Sequence, residues 1–350
     1  MKKAFLWGKG FVALVILSAL VCPQLIPATA AARATTITIS AAGDCTFGSD
    51  RITSASVNFD AVYRRQKKPS YFFKRVKRFF QRDDLSIVNF EGTLTKRSTR
   101  ADKKYAFKGD PSYVNILRKG SIEAVAFANN HCRDFGEGSY VDTADCFKKN
   151  GIVYSSGSKV GIYKAKGKKI GMISVNVLEG AGLARQLIQK GIKKLREQKA
   201  DLFIVSMHAG VEYQVTPSAQ QREIAQYAID QGANLVLGHH PHILQGVEKY
   251  KGSYIVYSLG NFCFGGNSNP SDKDTMIFRQ TFVFRKGRLK KKEGRAQIIP
   301  CSLSSASGIN NYQPTPATGG KRTRIVKKIN QMCRPFRLAV RDKDGVLIPD

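Results

Sequence analysis

Acidic residues are scarce in this chain of 350 residues: 26 Asp and Glu stand against 57 Lys and Arg, a formal charge of +31. Such an excess draws polyanions by long-range attraction. Long apolar runs are scarcer still. One segment, Phe11 to Val21, follows Lys2, Lys3 and Lys9, and it is shorter than the roughly 20 residues a spanning helix needs. Ala28-Thr29-Ala30 and Ala32-Arg33-Ala34 fit small-x-small cleavage sites, so residues 1–34 are expected to be a signal peptide or an N-terminal anchor. Cys22 follows Val21 rather than a small residue, which argues against a lipid-modified cysteine. The mature chain is therefore expected to be exported, either extracellular or attached to the outer face of the cytoplasmic membrane. Lys2, Lys3, Lys9 and Arg33 carry four of the positive charges, so +27 remains beyond residue 34. For an exported chain, envelope polymers or phospholipid surfaces fit that charge better than nucleic acid, which is not an expected partner.

Internal repeats and low-complexity segments are absent. The 42% hydrophobic content can bury a sizeable core, in one large or two modest domains. Apolar runs ending in glycine or polar residues alternate with helical patterns through residues 36–264, which reads as α/β. The strands expected are Thr36–Ile39, Asp84–Val88, Ile122–Phe127, Lys169–Val177, Leu202–Ser206 and two runs around residues 234–237 and 254–259. Helices are expected over Ser139–Lys149 and after Thr216-Pro217, with Thr216 as cap, Pro217 in the first turn and Gly232 as stop. Residues 64–82 space Phe72, Phe73, Val76, Phe79 and Phe80 like a helix with one aromatic and one basic face. Beyond Asp274 a long strand, Met276–Phe284, turns at Arg285-Lys286-Gly287-Arg288 towards a partner at Ala296–Pro300. A helix over Arg322–Met332 and a polar, frayed end complete a small β-rich extension. Six cysteines lie beyond residue 34, and Cys45 and Cys263, each in a candidate site loop, are the first expected disulfide pair.

Histidine is rare, yet all five residues stand at strand ends: His131, His208, His239, His240 and His242. Three of them fall within Gly238-His239-His240-Pro241-His242, a density that a structural role explains poorly. Other strand ends present Asp44, Asn89, Glu91, Asn130 and Asn261. Carboxylates, amide oxygens and imidazoles together suit a divalent metal such as manganese, zinc or iron better than a calcium cage or a thiolate site. A carboxylate can bridge two ions, and Asn130-His131 can place a proton donor beside a metal ligand.

Taken in order, these segments resemble the CapA family, associated with poly-γ-glutamate capsule synthesis and itself similar to calcineurin-like metallophosphatases. The motifs are Gly43-Asp44, Asn89-Phe90-Glu91-Gly92, Asn129-Asn130-His131, His208-Ala209-Gly210-Val211-Glu212-Tyr213, Gly238-His239-His240-Pro241-His242 and Ser258-Leu259-Gly260-Asn261-Phe262. The resemblance implies a four-layer αββα sandwich over residues 35–285, metallophosphatase-like, with residues 286–350 as a C-terminal strand, loop and helix extension. It implies metal ligands at Asp44, Glu91, Asn130, His208, His240 and His242, with Asn130 and His131 as the catalytic pair and His131 the proton donor. Asn89, His239, Asn261 and Glu212 are further candidates. Cys45 and Thr46 follow Asp44 where an Asp-x-His pair would put a histidine at 46, and the second motif is Asn-x-Glu.

The implied function is synthesis, export or attachment of an extracellular anionic polymer, with that polymer and membrane-bound capsule synthesis proteins as partners. The metal site would then be a hydrolase of phosphoester or amide bonds, or a binding site without turnover. The alternatives are a metal-dependent phosphatase or phosphodiesterase acting on envelope phosphate polymers, and a non-catalytic polyanion-binding scaffold.

Overall fold

β-Branched residues alternating at Thr35, Thr36, Ile37, Thr38 and Ile39 start the first strand, which then turns to Ser40, Ala41, Ala42 and Gly43. Small residues suit it because both faces are covered and neighbours pair on either side. A computed structural model describes residues 34–349. The signal or anchor expected over residues 1–34 lies, apart from Ala34, outside the described residues. Among those described, no helix is long and apolar enough to cross a membrane.

The fold is mixed α/β with two large sheets. In the first, β1 (Thr35–Thr46) pairs in parallel with β2 (Leu85–Phe90), and β2 with β3 (Ala124–Ala126). The second sheet is built on four parallel strands: β4 (Lys168–Asn176), β5 (Leu202–His208), β6 (Leu235–His239) and β7 (Ser253–Val256). The chain then returns to the first sheet. There β8 (Asn261–Phe264) runs parallel to the end of β1, and β9 (Asp274–Arg285) runs antiparallel along its length. β10 (Arg295–Ser302) pairs with β9 as expected, so the segment beyond residue 286 continues the first sheet.

Inward-facing residues of the two sheets form one core. Ile37, Ile39, Leu85 and Ile87 of the first pack with Ile170, Ile204, Leu235 and Leu237 of the second. Each fully buried aliphatic side chain contributes about 1.5–3 kcal/mol relative to exposure. A one-residue slip of any strand would turn this set outward, which fixes the register and hence what each strand end presents. A second cluster covers the outer face of the first sheet. It joins Val88, Phe90 and Val125 to α1 (Phe59–Gln66), α2 (Val114–Gly120) and α3 (Glu137–Lys149). A third packs Val175, Val205 and Val236 against α4 (Ala181–Glu197) and α5 (Ala219–Gln231).

Several expectations need correction. Residues 64–82 are not one helix: α1 stops at Lys67, whose φ is 51°, and only short turns at Pro69–Tyr71 and Lys77–Phe80 follow. Pro69 lacks an N–H and disfavours helical backbone at Lys68. The aromatic pattern still predicts burial correctly for Phe72, Phe73, Val76 and Phe80, with Phe59 and Phe72 stacked at 4.6 Å. The cap of α5 is Ser218, not Thr216: Ser218 and Gln221 bond each other's backbone N–H in a capping box, and Pro217 sits just outside. Nor is the C-terminus frayed. α6 (Gly319–Cys333) is followed by Leu338–Val340, which pairs with Leu347–Pro349. Cys45 and Cys263 are register partners on β1 and β8, but both are free thiols, and Cys263 donates to the Tyr312 carbonyl instead.

One ion-pair cluster fastens α6 to the start of β9. Arg324 Nη1 and Nη2 lie 2.7 and 2.5 Å from the two oxygens of Asp274, and Lys328 Nζ is 3.1 Å from one of them. Burial works against ionising Asp274, but Arg324 and Lys328 outweigh it and hold the carboxyl below its ordinary value. A depressed folded-state pKa gives stability that is present above the unfolded value, about 3.9, and lost as pH falls through the folded value. Asp274→Asn is therefore expected to lower unfolding stability by about 1–2 kcal/mol at neutral pH, since both cations are partly solvated. Denaturation of both proteins as the pH is lowered below about 3 should show that gap closing.

Candidate metal centre

The parallel strands of both sheets end at the same pole, and the loops there supply the polar cluster. Asp44 at the end of β1 is in register with Asn89 of β2 and with Asn261 of β8. His208 and His239, at the ends of β5 and β6, are in register with each other. Close approach of these strand ends depends on glycine. A Cβ at Gly43 would sit 1.8 Å from the Gly260 carbonyl oxygen, which accepts the Asp44 N–H at 2.9 Å. A Cβ at Gly238 would sit 2.0 Å from the Tyr257 oxygen. Neither position admits a side chain.

After Gly238 the backbone turns through the His-His-Pro-His run with His240 at φ 97° and His242 at φ 59°. Left-handed backbone at a non-glycine residue costs about 1–3 kcal/mol and persists where the surroundings enforce it. Here Tyr213 N–H donates to the Pro241 carbonyl at 2.9 Å, and Ser258 Oγ donates to that of Ile243 at 2.6 Å. The result points His239 and His242 towards the first sheet's carboxylates and sets the His240 ring beside that of His208.

Nearly all the expected site residues meet. Asp44 receives Asn89 Nδ2 at 2.8 Å, and His239 Nδ1 and His242 Nδ1 approach its two oxygens at 3.2 and 3.3 Å. The His239 contact lacks the alignment of a hydrogen bond, leaving both its ring nitrogens without partners. His242 Nδ1 is also 2.9 Å from Asn261 Oδ1, and His208 Nε2 is 2.8 Å from Asn130 Oδ1. Asn89 and Asn261 thus buttress Asp44 and His242. His239, adjacent to Asp44, belongs to the cluster as much as its two neighbours. Glu212 stands apart as an exposed residue at the rim, yet one of its oxygens falls within 4.8 Å of donor atoms on His240 and His242.

Glu91 occupies the centre and is wholly buried, and neither carboxylate oxygen has a hydrogen-bond partner. Its Oε1 lies 3.9 Å from His131 Nε2, 3.8 Å from His208 Nε2 and 3.8 Å from His242 Nε2. These gaps are too long for hydrogen bonds. They match the separation of ligand atoms that each sit about 2.0–2.2 Å from a shared cation. Asp44, Glu91 and His242 offer three such atoms within 4.8 Å of one another. Orphaned buried oxygens surrounded by imidazole nitrogens fit a divalent ion, and the oxygen/nitrogen set is that of manganese, zinc or iron.

The electrostatics follow from that crowding. Burial pushes the Glu91 carboxyl well above its ordinary value, although His242 opposes this. Asp44 goes the other way: burial disfavours its charge, but His239 and His242 hold it well below the usual range. Burial lowers His131 and His208, and takes His240 down to about 4. His242 is raised to about 9, because Glu91 and Asp44 overcome its burial. Two carboxylates a few ångströms apart are thus shifted in opposite directions.

Two participants escape the motif reading, and a third, Asn129, stands in a motif without an assigned role. Asp134 Oδ2 lies 2.7 Å from His131 Nδ1 and also accepts the Phe107 N–H. Its position three residues after His131 is the signal that a search for a histidine-orienting acid would have used. Lys103 Nζ contacts Asp134 Oδ1 at 2.7 Å, the Asn130 carbonyl at 2.7 Å and His131 Nδ1 at 3.3 Å. It comes from a basic loop that nothing in the sequence distinguishes. Asn129 donates to Phe90 O at 2.8 Å and accepts the His131 N–H at 3.0 Å, which sets the loop that carries His131. The site opens through a cavity of about 420 Å³ lined by His131, His242, Tyr105, Phe107, Tyr213 and Phe264.

Comparison with known proteins identifies the family. Residues 38–266 match the model of the bacterial capsule synthesis protein family PGA_cap. The PGA biosynthesis protein CapA of Bacillus subtilis (strain 168) is 29% identical over 332 residues, covering 86% of this chain and 83% of that protein. The capsule biosynthesis protein CapA of Bacillus anthracis is 29% identical over 220 residues, 55% of this chain and 54% of its own. A probable polyglutamine synthesis accessory protein of Mycobacterium tuberculosis is 26% identical over 211 residues, 51% of this chain and 55% of its own. The matched span runs from the β1 residues before Asp44 to just beyond β8 and contains every residue of the buried cluster. The chain belongs to the bacterial capsule synthesis protein family.

Proposed function

We propose that this protein acts outside the cytoplasm in the synthesis, export or attachment of an anionic polymer of the poly-γ-glutamate type. A divalent ion held at the strand ends would serve a hydrolytic or transfer reaction. The observation that carries the metal reading is Glu91, a buried carboxylate with no donor, facing three imidazole nitrogens at 3.8–3.9 Å. Family membership and the names of the relatives support the polymer. The three hydrophobic clusters, one between the sheets and one on each outer face, support the four-layer αββα arrangement.

Asp44, Glu91, Asn130, His208, His240 and His242 would hold the ion. When bound, it supplies a Lewis acid for a phosphoryl or carbonyl oxygen and lowers the pKa of a bound water. The remaining work falls to the chain itself. Asp134 accepts a hydrogen bond from His131 Nδ1–H, so Nε2, the nitrogen facing Glu91, is the atom that takes or gives a proton during turnover. Lys103 neutralises Asp134 and fixes its direction. Phe107, with its ring centroid 4.4 Å from that of His131, excludes water from one side of the imidazole.

Metal analysis of the purified full chain should find a divalent ion that is lost in a His240→Ala, His242→Ala variant. Equally little metal in both proteins would remove the metal reading. With a generic phosphodiester and added manganese, His131→Ala should lower turnover about 10²–10⁴-fold while leaving metal content unchanged. Unchanged turnover would remove the proton-transfer role. Asp134→Asn should reduce kcat more than it raises KM and shift the pH optimum, because it removes the acceptor that sets the His131 tautomer. A profile that keeps its shape would make Asp134 structural only.

A further inference from the structure

The pole opposite the strand-end site is built on three hairpin turns of identical composition. Lys166-Gly167 joins Gly161–Ala165 to β4, Lys251-Gly252 joins Val247–Tyr250 to β7, and Lys286-Gly287 joins β9 to Arg288–Leu289. Their φ values are 47° and 73°, 47° and 81°, and 49° and 76°, all left-handed. Two positive φ angles define a type I′ turn, whose first position favours Asn, Asp or Gly. Lysine is a poor choice there on local grounds. The chain makes that choice three times, so charge rather than turn stability accounts for it.

These turns share one end of the molecule. Two precede parallel strands of the second sheet, and the third lies beside the start of β1. Lys166 Nζ reaches the Thr36 carbonyl at 3.2 Å and Lys168 Nζ reaches that of Gly287 at 3.1 Å, so both sheets present the same pole. Four acidic neighbours are already paired, Asp84 with Lys166, Asp201 with Lys168, Glu293 with Arg285 and Asp230 with Lys251, while Asp83 and Glu123 accept hydrogen bonds from Ser86. Lys164, Lys286, Arg288, Lys290, Lys291 and Lys292 remain exposed, and among the described residues none of them is in an ion pair. The cavity lined by Gly252, Leu289, Lys290 and Lys291 holds only about 10 Å³.

We propose that this lysine pole seats on an anionic phospholipid surface and holds the strand-end site facing away from it. The partner follows from a flat cationic surface and from its place in the chain. β1 begins at this pole, so the sequence carrying the apolar run Phe11–Val21 joins the domain there. The nine residue steps from Thr35 to Asp44 then carry the site roughly 30 Å out, at about 3.3 Å per residue. This surface is independent of the metal chemistry and relies on the outer-face reading only for its setting.

The test is partition of the full chain onto vesicles of phosphatidylcholine alone or mixed with phosphatidylglycerol, read as the ratio between the two. Any contribution of the N-terminal apolar run enters both arms. Each basic residue near an anionic surface is worth about fivefold. Lys286→Gln, Lys290→Gln and Lys291→Gln together should therefore lower the ratio about a hundredfold at low salt, with thermal unfolding unchanged because all three are exposed. Arg51→Gln, Lys96→Gln and Lys104→Gln, at the site's end, should leave it unchanged. The wild-type ratio should fall as salt is added. Equal losses from both triple variants, or a wild-type ratio indifferent to salt, would overturn the proposal. So would a pole variant that partitions normally but no longer binds soluble poly-glutamate, because the pole would then belong to the polymer.

Discussion

A buried carboxylate without a hydrogen-bond donor is the constraint around which this structure is arranged. Glu91 is fully enclosed, both its oxygens lack partners, and three imidazole nitrogens stand just beyond hydrogen-bonding reach. Burying an ionised group without compensation is among the costliest things a fold can do, and the usual outcome is neutralisation or a bound counterion. Asp44 shows the contrast. It is equally buried, but Asn89, His239 and His242 surround it, and it stays charged. The cluster therefore has a saturated carboxylate beside an unsaturated one, and the second is where a cation fits.

The backbone is shaped to maintain that arrangement. Gly43 and Gly238 let neighbouring strand ends within each sheet approach more closely than side chains would allow, and His240 and His242 accept left-handed backbone to aim their rings. The shared core between the sheets holds the register that brings Asp44, Asn89 and Asn261 side by side. Stability is spent at the site pole for geometry. At the opposite pole lysine occupies turn positions that other residues would fill better, which separates the molecule into an end carrying the buried cluster and a charged end.

Much of this was legible in the sequence because strand ends obey a simple rule: where an apolar run gives out, the polar residues that follow stand at the rim of a sheet. Asp44, Glu91, Asn130, His131, His208 and the His-His-Pro-His run all follow it. Asp134 and Lys103 escaped because their roles depend on how one loop folds over another, and a basic loop residue looks the same whether solvated or docked. Local pattern misled where a single atom decides. Pro69 interrupts an otherwise helical aromatic stripe, and Ser218 rather than Thr216 has the partner Gln221 needed for a capping box. Cys45 and Cys263 are neighbours, as their shared site loops suggested, but adjacency in a strand pair is no guarantee of a bond, and one thiol already has a carbonyl partner.

Replacing Glu91 by glutamine isolates the central claim, since it removes the unpaired charge while keeping the side chain's shape. A ligand that binds only the folded state raises its stability in proportion to the logarithm of the free ion concentration. Thermal unfolding of the chelator-treated full chain, titrated with manganese, should show the melting temperature of the native protein climbing with the ion. The Glu91→Gln protein should melt at least as high as the native chain without the ion and show no further rise on its addition. A Glu91→Gln protein that melts lower without the ion and still gains stability from manganese as the native chain does would contradict the account.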